Sequence, residues 1–257
     1  MNIRLHIEAA LAEGAMVSFS PEQAHYLRNV MRQQTGATVY LFNAPFGEFS
    51  AMITSLDKKG GAARVAEKIR DAQNEPDLWL LVAPIKRNPF ETIIQKATEL
   101  GVAAIMPVQT ERTNGSKLNL ERLSLIAREA AEQSERLSVP EIAASRKLDK
   151  LLDDWPSDRA LIFCDEAGDA PDERWGGDEG RAAPMMSALG ARDHAKKGAI
   201  LIGPEGGFSP SERQALRAKE FVIPVSLGPR ILRADTAAIS AIALWQSYLG
   251  DMGQSYR

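Results

Sequence analysis

The residues that could carry chemistry in this sequence are concentrated in two glycine-proline turns. The first turn, GPEGG at Gly203–Gly207, follows the apolar run GAILI and precedes a helix start in which Ser209 and Glu212 form a capping-box pattern. Gly206 and Gly207 permit positive φ and let a ligand touch the backbone. Ligands of open α/β sheets bind at the carboxyl ends of strands, where this turn is expected. The spacing fits neither a P-loop nor a dinucleotide fingerprint, and a tight turn without a ligand explains it equally well.

The second turn, SLGPRILRADTA at Ser226–Ala237, ends another apolar strand and adds two arginines. If the two turns face each other, their backbone N–H and C=O groups suit a planar polar ligand, such as an adenine with a methionine-like tail. A triphosphate suits them less well, because neither a lysine nor a Mg²⁺ ligand accompanies the glycines.

Alternating strands and helices are expected to position these turns. Apolar runs of the buried-strand type occur in DLWLLVAPI, VAAIMPVQT, RALIFCDE, GAILIGPEGG and FVIPVSLG. One intervening helix has Asn88 as its predicted N-cap, Pro89 at its first position and Gly101 as its stop. A last helix follows Asp235. This alternation predicts an α/β fold with a mainly parallel sheet.

The N-terminal block, residues 1–70, is predicted to be β-rich and resembles a small barrel. Its predicted strands are 37–43, 47–56 and 62–69. A short helix is predicted to begin at Ser20, with Gln23 completing a capping box. The polar stretch DAQNEP at 71–76 is predicted to be a linker.

The charge distribution is uneven. The 257 residues carry a net charge of −3, but residues 153–180 hold ten acidic residues and two arginines, which leaves +5 for the remainder. A mildly basic body with one acidic stretch is compatible with RNA binding. Ordinary solvated charge explains the balance at least as well.

Composition also limits the kinds of site and location to be expected. No apolar stretch is long enough for a membrane span, and the N-terminus lacks an apolar signal core, so a cytoplasmic protein without membrane partners is expected. The single cysteine, Cys164, cannot form an intrachain disulfide and is better explained as a core residue than as a nucleophile. Three scattered histidines give no metal-ligand spacing, so no metal is expected.

Four motifs carry a resemblance to a known family. In order they are IQKATELGV, REAAEQSER, LIGPEGGFSPSE and LGPRILRADTAAISAIALWQ. Together they resemble the RsmE family of 16S rRNA uracil-N3 methyltransferases, which belongs to the SPOUT superfamily. HYLRNVMRQQTGATVYLFN resembles that family's PUA-like RNA-binding barrel, whereas the acidic stretch 167–197 looks longer than the family pattern.

The resemblance implies a fold, a cofactor and partners. A PUA-like β-barrel domain is expected over 1–71, followed by a SPOUT-type, trefoil-knotted α/β domain with a parallel sheet over 72–257 and an acidic insertion around 167–197. It further implies a homodimer that uses S-adenosyl-L-methionine to methylate N3 of one uridine in the decoding region of 16S rRNA in the assembled small subunit. The implied cofactor-binding residues are Ile202, Gly203, Pro204, Gly206, Gly207, Leu227, Gly228, Ile231, Leu232 and Thr236.

Methylation of uracil N3 requires loss of the N3 proton and stabilisation of the negative charge that develops on the base. Arg233 is the candidate catalytic residue for this charge, because a guanidinium can bind a uracil oxygen or a phosphate. The competing interpretation is an ion pair with Asp235 or with a partner subunit. Glu205 is the candidate proton acceptor, although it could bind polar groups of the cofactor instead. N-capping explains Asp235 better than catalysis does, and proton loss to water is a third alternative.

Five basic residues are candidate RNA contacts. Arg28 and Arg32 lie four apart on the predicted N-terminal helix and would share a face. Lys86 and Arg87 follow one apolar strand and Arg112 follows the next, so they are expected at the same sheet edge as the turns. A solvated helix face explains Arg28 and Arg32 nearly as well.

Two other functions fit parts of the same pattern. One is a related knotted methyltransferase that acts on tRNA or on a ribose 2′-oxygen. The other is a non-catalytic RNA-binding ribosome assembly factor, against which the intact glycines argue, since a protein without a cofactor would not need them.

Overall fold

The computed structural model describes residues 3–114, 118–170, 172–191 and 197–254. The chain divides into two compact units. The first comprises residues 1–74 and 128–139, and the second comprises residues 75–127 and 140–257.

The first unit is built on a five-stranded sheet of order β1-β3-β4-β5-β2. Its strands are β1 (Arg4–His6), β2 (Met16–Phe19), β3 (Thr38–Asn43), β4 (Gly47–Leu56) and β5 (Gly61–Arg70). Strand β1 runs parallel to β3, and the other pairs are antiparallel. Register shifts between β4 and β5 bend the strands, as β-bulges do. Strands β3, β4 and β5 correspond to the three strands predicted in this block, which are confirmed.

The short N-terminal helix is confirmed, but its continuation is not the predicted one. Helix α1 (Pro21–His25) begins at Ser20, whose hydroxyl accepts a hydrogen bond from the backbone N–H of Gln23 in a capping box. The chain then turns into a π-helix, Tyr26–Val30, and Arg32 adopts φ +54° beyond it. Arg28 and Arg32 therefore do not share the α-helical face that their spacing predicted, since four residues are no longer one helical turn.

A buried arginine stabilises the first unit. Arg4 is 7% exposed and pairs with Glu48, which is 4% exposed and also pairs with Arg70. The Arg4 guanidinium donates to the backbone carbonyls of Ala131, Glu132 and Arg136 at 3.0–3.1 Å, at the end of helix α3 (Leu120–Gln133). Arg4 thus satisfies carbonyls that lack partners within the helix.

The second unit contains the predicted parallel sheet. Its strand order is β12-β10-β11-β6-β7-β8, with β9 paired to β7. All of these pairs are parallel. The strands are β6 (Leu78–Val82), β7 (Ala104–Gln109), β8 (Glu141–Ile142), β9 (Arg146–Lys147), β10 (Ala160–Cys164), β11 (Gly198–Ile202) and β12 (Val222–Val225). The α/β fold is therefore confirmed, while the trefoil knot stays a prediction.

The remaining helices surround this sheet. They are α2 (Arg87–Glu99), α4 (Leu148–Asp153), α5 (Met185–Gly190), α6 (Pro210–Arg217) and α7 (Ala234–Tyr248), in addition to α3. In the described ranges, none has both the length and the apolar character that a bilayer span requires. The capping box of Ser209 and Glu212 on α6 is confirmed, and Gly101 follows α2 at φ +78°.

Two predicted N-caps are wrong. Helix α2 is capped at Lys86, so Asn88 and Pro89 both lie inside its first turn. Proline is tolerated there because the first N–H groups of a helix have no intrahelical partner. Helix α7 has Arg233 at the N-cap, and Asp235 lies in its first turn, where its carboxylate accepts from the N–H of Thr236. A carboxylate at that position still interacts favourably with the helix dipole.

The acidic stretch 167–197 contains regular secondary structure. It contains a 3₁₀ turn at Arg174–Gly176 and helix α5, whose Met185 and Leu189 are buried. Residues 171 and 192–196 of this stretch lie outside the described residues.

Candidate active site

A cavity of about 1000 Å³ opens at the carboxyl ends of β6, β10 and β11. Its wall comes from residues that follow these strands and from the start of α7. The lining includes Ile85, Lys86 and Pro89 after β6, Cys164–Ala170 after β10, Ile202–Phe208 after β11, and Ile231–Asp235 at α7. This is the sheet edge at which ligands of open α/β sheets bind, and the volume is that of a small-molecule site.

The three glycines of the first turn differ in their surroundings and backbone conformation. A Cβ on Gly203 would stand 2.6 Å from the Phe208 ring, so this position must remain small. Gly207 adopts φ +66°, and its N–H donates to the carbonyl of Pro204 at 2.9 Å. Gly206 does not have the positive φ expected of it, and a Cβ there would meet only Arg112, at 3.7 Å. The protein itself therefore leaves room beside Gly206, next to the cavity.

Neighbouring elements fix the position of this turn. The Phe208 ring packs edge-on against Phe163 of β10 with 4.9 Å between the ring centroids. Arg112 donates from Nη1 to the carbonyl of Gly206 at 2.9 Å. The N–H of Glu111 donates to the Glu212 carboxylate at 2.8 Å, which joins the segment after β7 to the start of α6.

The second turn is held by the segment that precedes α5. The Ser226 N–H donates to the carbonyl of Ala183 at 2.8 Å, and the Met185 N–H donates to the carbonyl of Ser226 at 3.0 Å. Gly228 adopts φ +109°, which favours glycine at this position. The chain then reaches the cavity at Ile231, which is 45% exposed.

The cavity brings together most of the predicted cofactor residues. Those in the lining are Ile202, Gly203, Pro204, Gly206, Gly207, Ile231 and Leu232. Leu227, Gly228 and Thr236 lie in the same turn or in the first turn of α7, but outside the lining.

Both candidate catalytic residues line the cavity and are exposed. Among the described residues, no hydrogen bond or ion pair holds the Arg233 guanidinium, so the alternative of an ion pair with Asp235 is not seen there. The Glu205 carboxylate likewise has no bonded partner in the described ranges. Both side chains are available to a ligand.

The candidate RNA contacts are divided between the two units. Lys86 and Arg112 line the cavity. Arg87 lies in the first turn of α2 and pairs with Glu91 at 2.7 Å, which reduces its availability. Arg28 and Arg32 belong to the first unit.

Sequence reasoning missed a charged cluster in the cavity wall. Asp165 follows β10, and its side chain is 2% exposed. Its carboxylate accepts from Nε of Arg213 at 2.8 Å and from Nε of Arg217 at 2.9 Å. The two arginines also reach Asp169 at 3.0 Å. The available signal was the pair of arginines four apart on α6, which must lie on one helix face.

Two further groups in the wall have shifted pKa values. Burial of the sulfur and the charges of Glu166 and Asp165 raise the pKa of the Cys164 thiol, so the thiol stays protonated and is a poor nucleophile. Partial burial of its carboxyl group and the charge of Asp165 raise the pKa of Glu166, although the residue as a whole is exposed. Glu166 is therefore a second carboxylate of the cavity lining, and it binds a proton more readily than an ordinary glutamate does.

Comparisons with protein families identify both parts of the chain. A family model described as an RNA methyltransferase domain matches residues 73–246, and one described as an RNA methyltransferase PUA domain matches residues 19–65. Ribosomal RNA small subunit methyltransferase E of Rickettsia conorii is 33% identical over 241 residues, which cover 93% of each chain. The protein of that name from Bacillus subtilis is 28% identical, with 91% of this chain and 90% of the relative covered.

Solved structures agree in fold. Ribosomal RNA small subunit methyltransferase E from Neisseria gonorrhoeae, bound to S-adenosyl methionine, superposes with a TM-score of 0.81 at 28% identity, covering 98% of this chain and 100% of that one. A putative methyltransferase from Legionella pneumophila, in complex with the same cofactor, gives a TM-score of 0.79 at 31% identity and the same coverage.

Proposed function

Because this chain belongs to the ribosomal RNA small subunit methyltransferase E family, we propose that it transfers a methyl group from S-adenosyl-L-methionine to N3 of a single uracil in the decoding region of 16S rRNA. The acceptor is the assembled small ribosomal subunit, and the reaction takes place in the cytoplasm. The observation that carries the proposal is the cavity in which two glycine turns meet Arg233, an arginine without a bonded partner among the described residues.

The cavity has the features that the cofactor requires. The wall beside Gly206 is bare backbone, with no protein atom nearer than 3.7 Å to where a Cβ would stand. The apolar side chains of Ile202, Ile231 and Leu232 line the same space and suit an adenine ring. We assign the ten cofactor-binding residues named from the sequence to this role, with Leu227, Gly228 and Thr236 supporting the second turn from outside the lining.

The protein's contribution to the transfer is to position the base and to manage its proton and charge. S-adenosyl-L-methionine supplies the methyl group, which leaves sulfur and bonds to N3. Arg233 binds a uracil oxygen and stabilises the negative charge that develops as N3 loses its proton. Glu205 accepts that proton, and Glu166, whose residue lines the same cavity, is the alternative acceptor.

The RNA is held by basic groups at the cavity mouth and in the first unit. Lys86 and Arg112 line the cavity, and in this proposal they contact phosphates near the target base. Arg28 and Arg32 of the first unit and Arg87 of α2 are the other proposed RNA contacts. The proposal includes a PUA-like RNA-binding domain over 1–71, a knotted methyltransferase domain over 72–257, and a homodimer as the working form, without a metal.

The decisive experiment is transfer of tritium from labelled S-adenosyl-L-methionine to small ribosomal subunits that lack the modification, followed by nucleoside analysis. Label recovered as 3-methyluridine is the expected result. Naked 16S rRNA and tRNA serve as parallel substrates, and Arg233→Ala serves as the inactive control.

Label in tRNA or on a ribose oxygen would assign the chain to a different methyltransferase reaction. Cofactor binding without label in any of these RNAs would contradict the proposed substrate. Failure to bind the cofactor would favour an RNA-binding assembly factor.

A further inference from the structure

A tryptophan lies in the wall of the cavity, in the acidic stretch that the proposed mechanism does not use. Trp175 belongs to the cavity lining and is 51% exposed. The chain has four tryptophans, all within the described residues, and the other three are buried or half-buried. An exposed indole beside a cavity presents a large flat apolar surface that no described residue covers fully.

The backbone that carries Trp175 is held in place. Its carbonyl accepts from the N–H of Gly168 at 3.0 Å, and the N–H of Ala170 donates to the carbonyl of Gly176 at 2.9 Å. Arg213 of α6 donates to the carbonyl of Gly168 at 2.9 Å. The turn is thus tied to the helix that follows the first glycine turn.

The conformation of Trp175 is itself unfavourable. It adopts φ +60° and ψ +26°, in the left-handed region that residues other than glycine seldom occupy. Such a conformation persists where the surroundings impose it, and it occurs often at ligand-binding positions. The exposed ring and the left-handed backbone are two unfavourable features at one residue, and a ligand stacked on the ring would bury its exposed apolar face.

We propose that Trp175 stacks on a nucleobase bound in the cavity, an inference that rests on the proposed function. Stacking on an aromatic side chain is the general way in which proteins hold an unpaired base. The same wall carries the exposed residue Glu166, whose carboxylate disfavours phosphate and favours an uncharged ring. The base is either the adenine of the cofactor or the target uracil, and these two sources are separable by experiment.

The test compares Trp175→Ala and Trp175→Phe with wild type. Tyr248→Ala is the matched control, because it removes another exposed aromatic ring, at the end of α7, that does not line the cavity. Affinity for S-adenosyl-L-methionine is measured by calorimetry. The KM for unmodified small subunits is then measured at saturating cofactor, and thermal melts establish that each variant is folded.

Trp175→Ala is expected either to lower the affinity for S-adenosyl-L-methionine or to raise the KM for small subunits. The change should be roughly tenfold or more, the scale of losing one stacked base. Trp175→Phe should retain most of the affinity because it keeps a flat ring. A weaker cofactor affinity identifies adenine as the stacked base, and a raised KM with normal cofactor affinity identifies the target uracil.

Wild-type values of both constants in Trp175→Ala would overturn the assignment of Trp175 while leaving the methyltransferase proposal intact. A wild-type protein that neither binds the cofactor nor transfers a methyl group would overturn both.

Discussion

Replacing Asp165 by asparagine should destabilise the second unit strongly, although the change removes only one charge. The Asp165 side chain is 2% exposed and accepts charge-assisted hydrogen bonds from Arg213 at 2.8 Å and from Arg217 at 2.9 Å. An asparagine in the same place could accept from one arginine only. Its amide group would face the second guanidinium, which is also a donor.

The magnitude follows from these contacts. Hydrogen bonds to charged groups contribute about 1.5–3 kcal/mol each, and removal of one member of a buried ion pair costs about 3–5 kcal/mol. The arginine side chains are 12% and 25% exposed and keep other partners. We therefore expect the free energy of unfolding to fall by about 2–4 kcal/mol, the lower part of the combined range. For a domain of this size that loss lowers the melting temperature by about 4–15 °C.

The assay is thermal unfolding followed by circular dichroism, with Asp169→Asn as the matched control. Asp169 binds the same two arginines, but its side chain is 49% exposed, so its loss should cost less than about 1 kcal/mol. Equal melting temperatures for the two variants would refute the argument, because burial would then not distinguish the two carboxylates.

Three further predictions concern the cavity and the surface. Gly206→Val should lose affinity for S-adenosyl-L-methionine in calorimetry yet melt close to wild type, because an added Cβ would meet Arg112 only at the ordinary contact distance of 3.7 Å; unchanged affinity would contradict a ligand on this backbone. Arg233→Ala should bind the cofactor nearly normally and transfer methyl groups about 100-fold more slowly or worse, and wild-type turnover would leave the residue a structural role only. Hydrogen bonds from Arg122 and Arg87 lower the pKa of Glu91 from 4.5 to about 2, so its stabilising effect is present above pH 4.5 and is lost as the pH falls through about 2. Glu91→Gln should therefore melt below wild type at pH 7 and match it near pH 2, whereas a difference independent of pH would contradict the ion pair.

Much of the parallel sheet could be predicted because β6, β7, β10, β11 and β12 lie in largely apolar runs. Strands β8 and β9 could not, since two residues each are too few to show a period. Helix starts were predictable where a side chain and its partner three residues on identify the cap, as at Ser20 and Ser209. The helix starts predicted at Asn88 and Asp235 were wrong. Both are residue types that are common at N-caps, but here they lie inside the first turn of the helix.

Only the part of the cavity wall that the two glycine turns form could be predicted from the sequence. Glycine and proline report backbone geometry locally, so the turns at Gly203–Gly207 and Gly228 can be read from the sequence. The opposite wall depends on contacts between distant residues, since Asp165 and Arg213 are 48 positions apart. No local pattern of acidic residues shows which carboxylate will be buried and which will stay in solvent.

Helix α6 connects these two walls. Its first residues follow the glycine turn, and its N-terminal Glu212 binds the segment after β7. On the same helix, Arg213 and Arg217 bind Asp165, and Arg213 also binds the backbone of the acidic turn that carries Trp175. A stretch with a large negative charge can therefore form an ordered wall, because its charge is neutralised locally by two arginines of this helix. Because α6 contacts both walls, a ligand that binds the glycine turn and the acidic turn together would contact two segments held by the same helix.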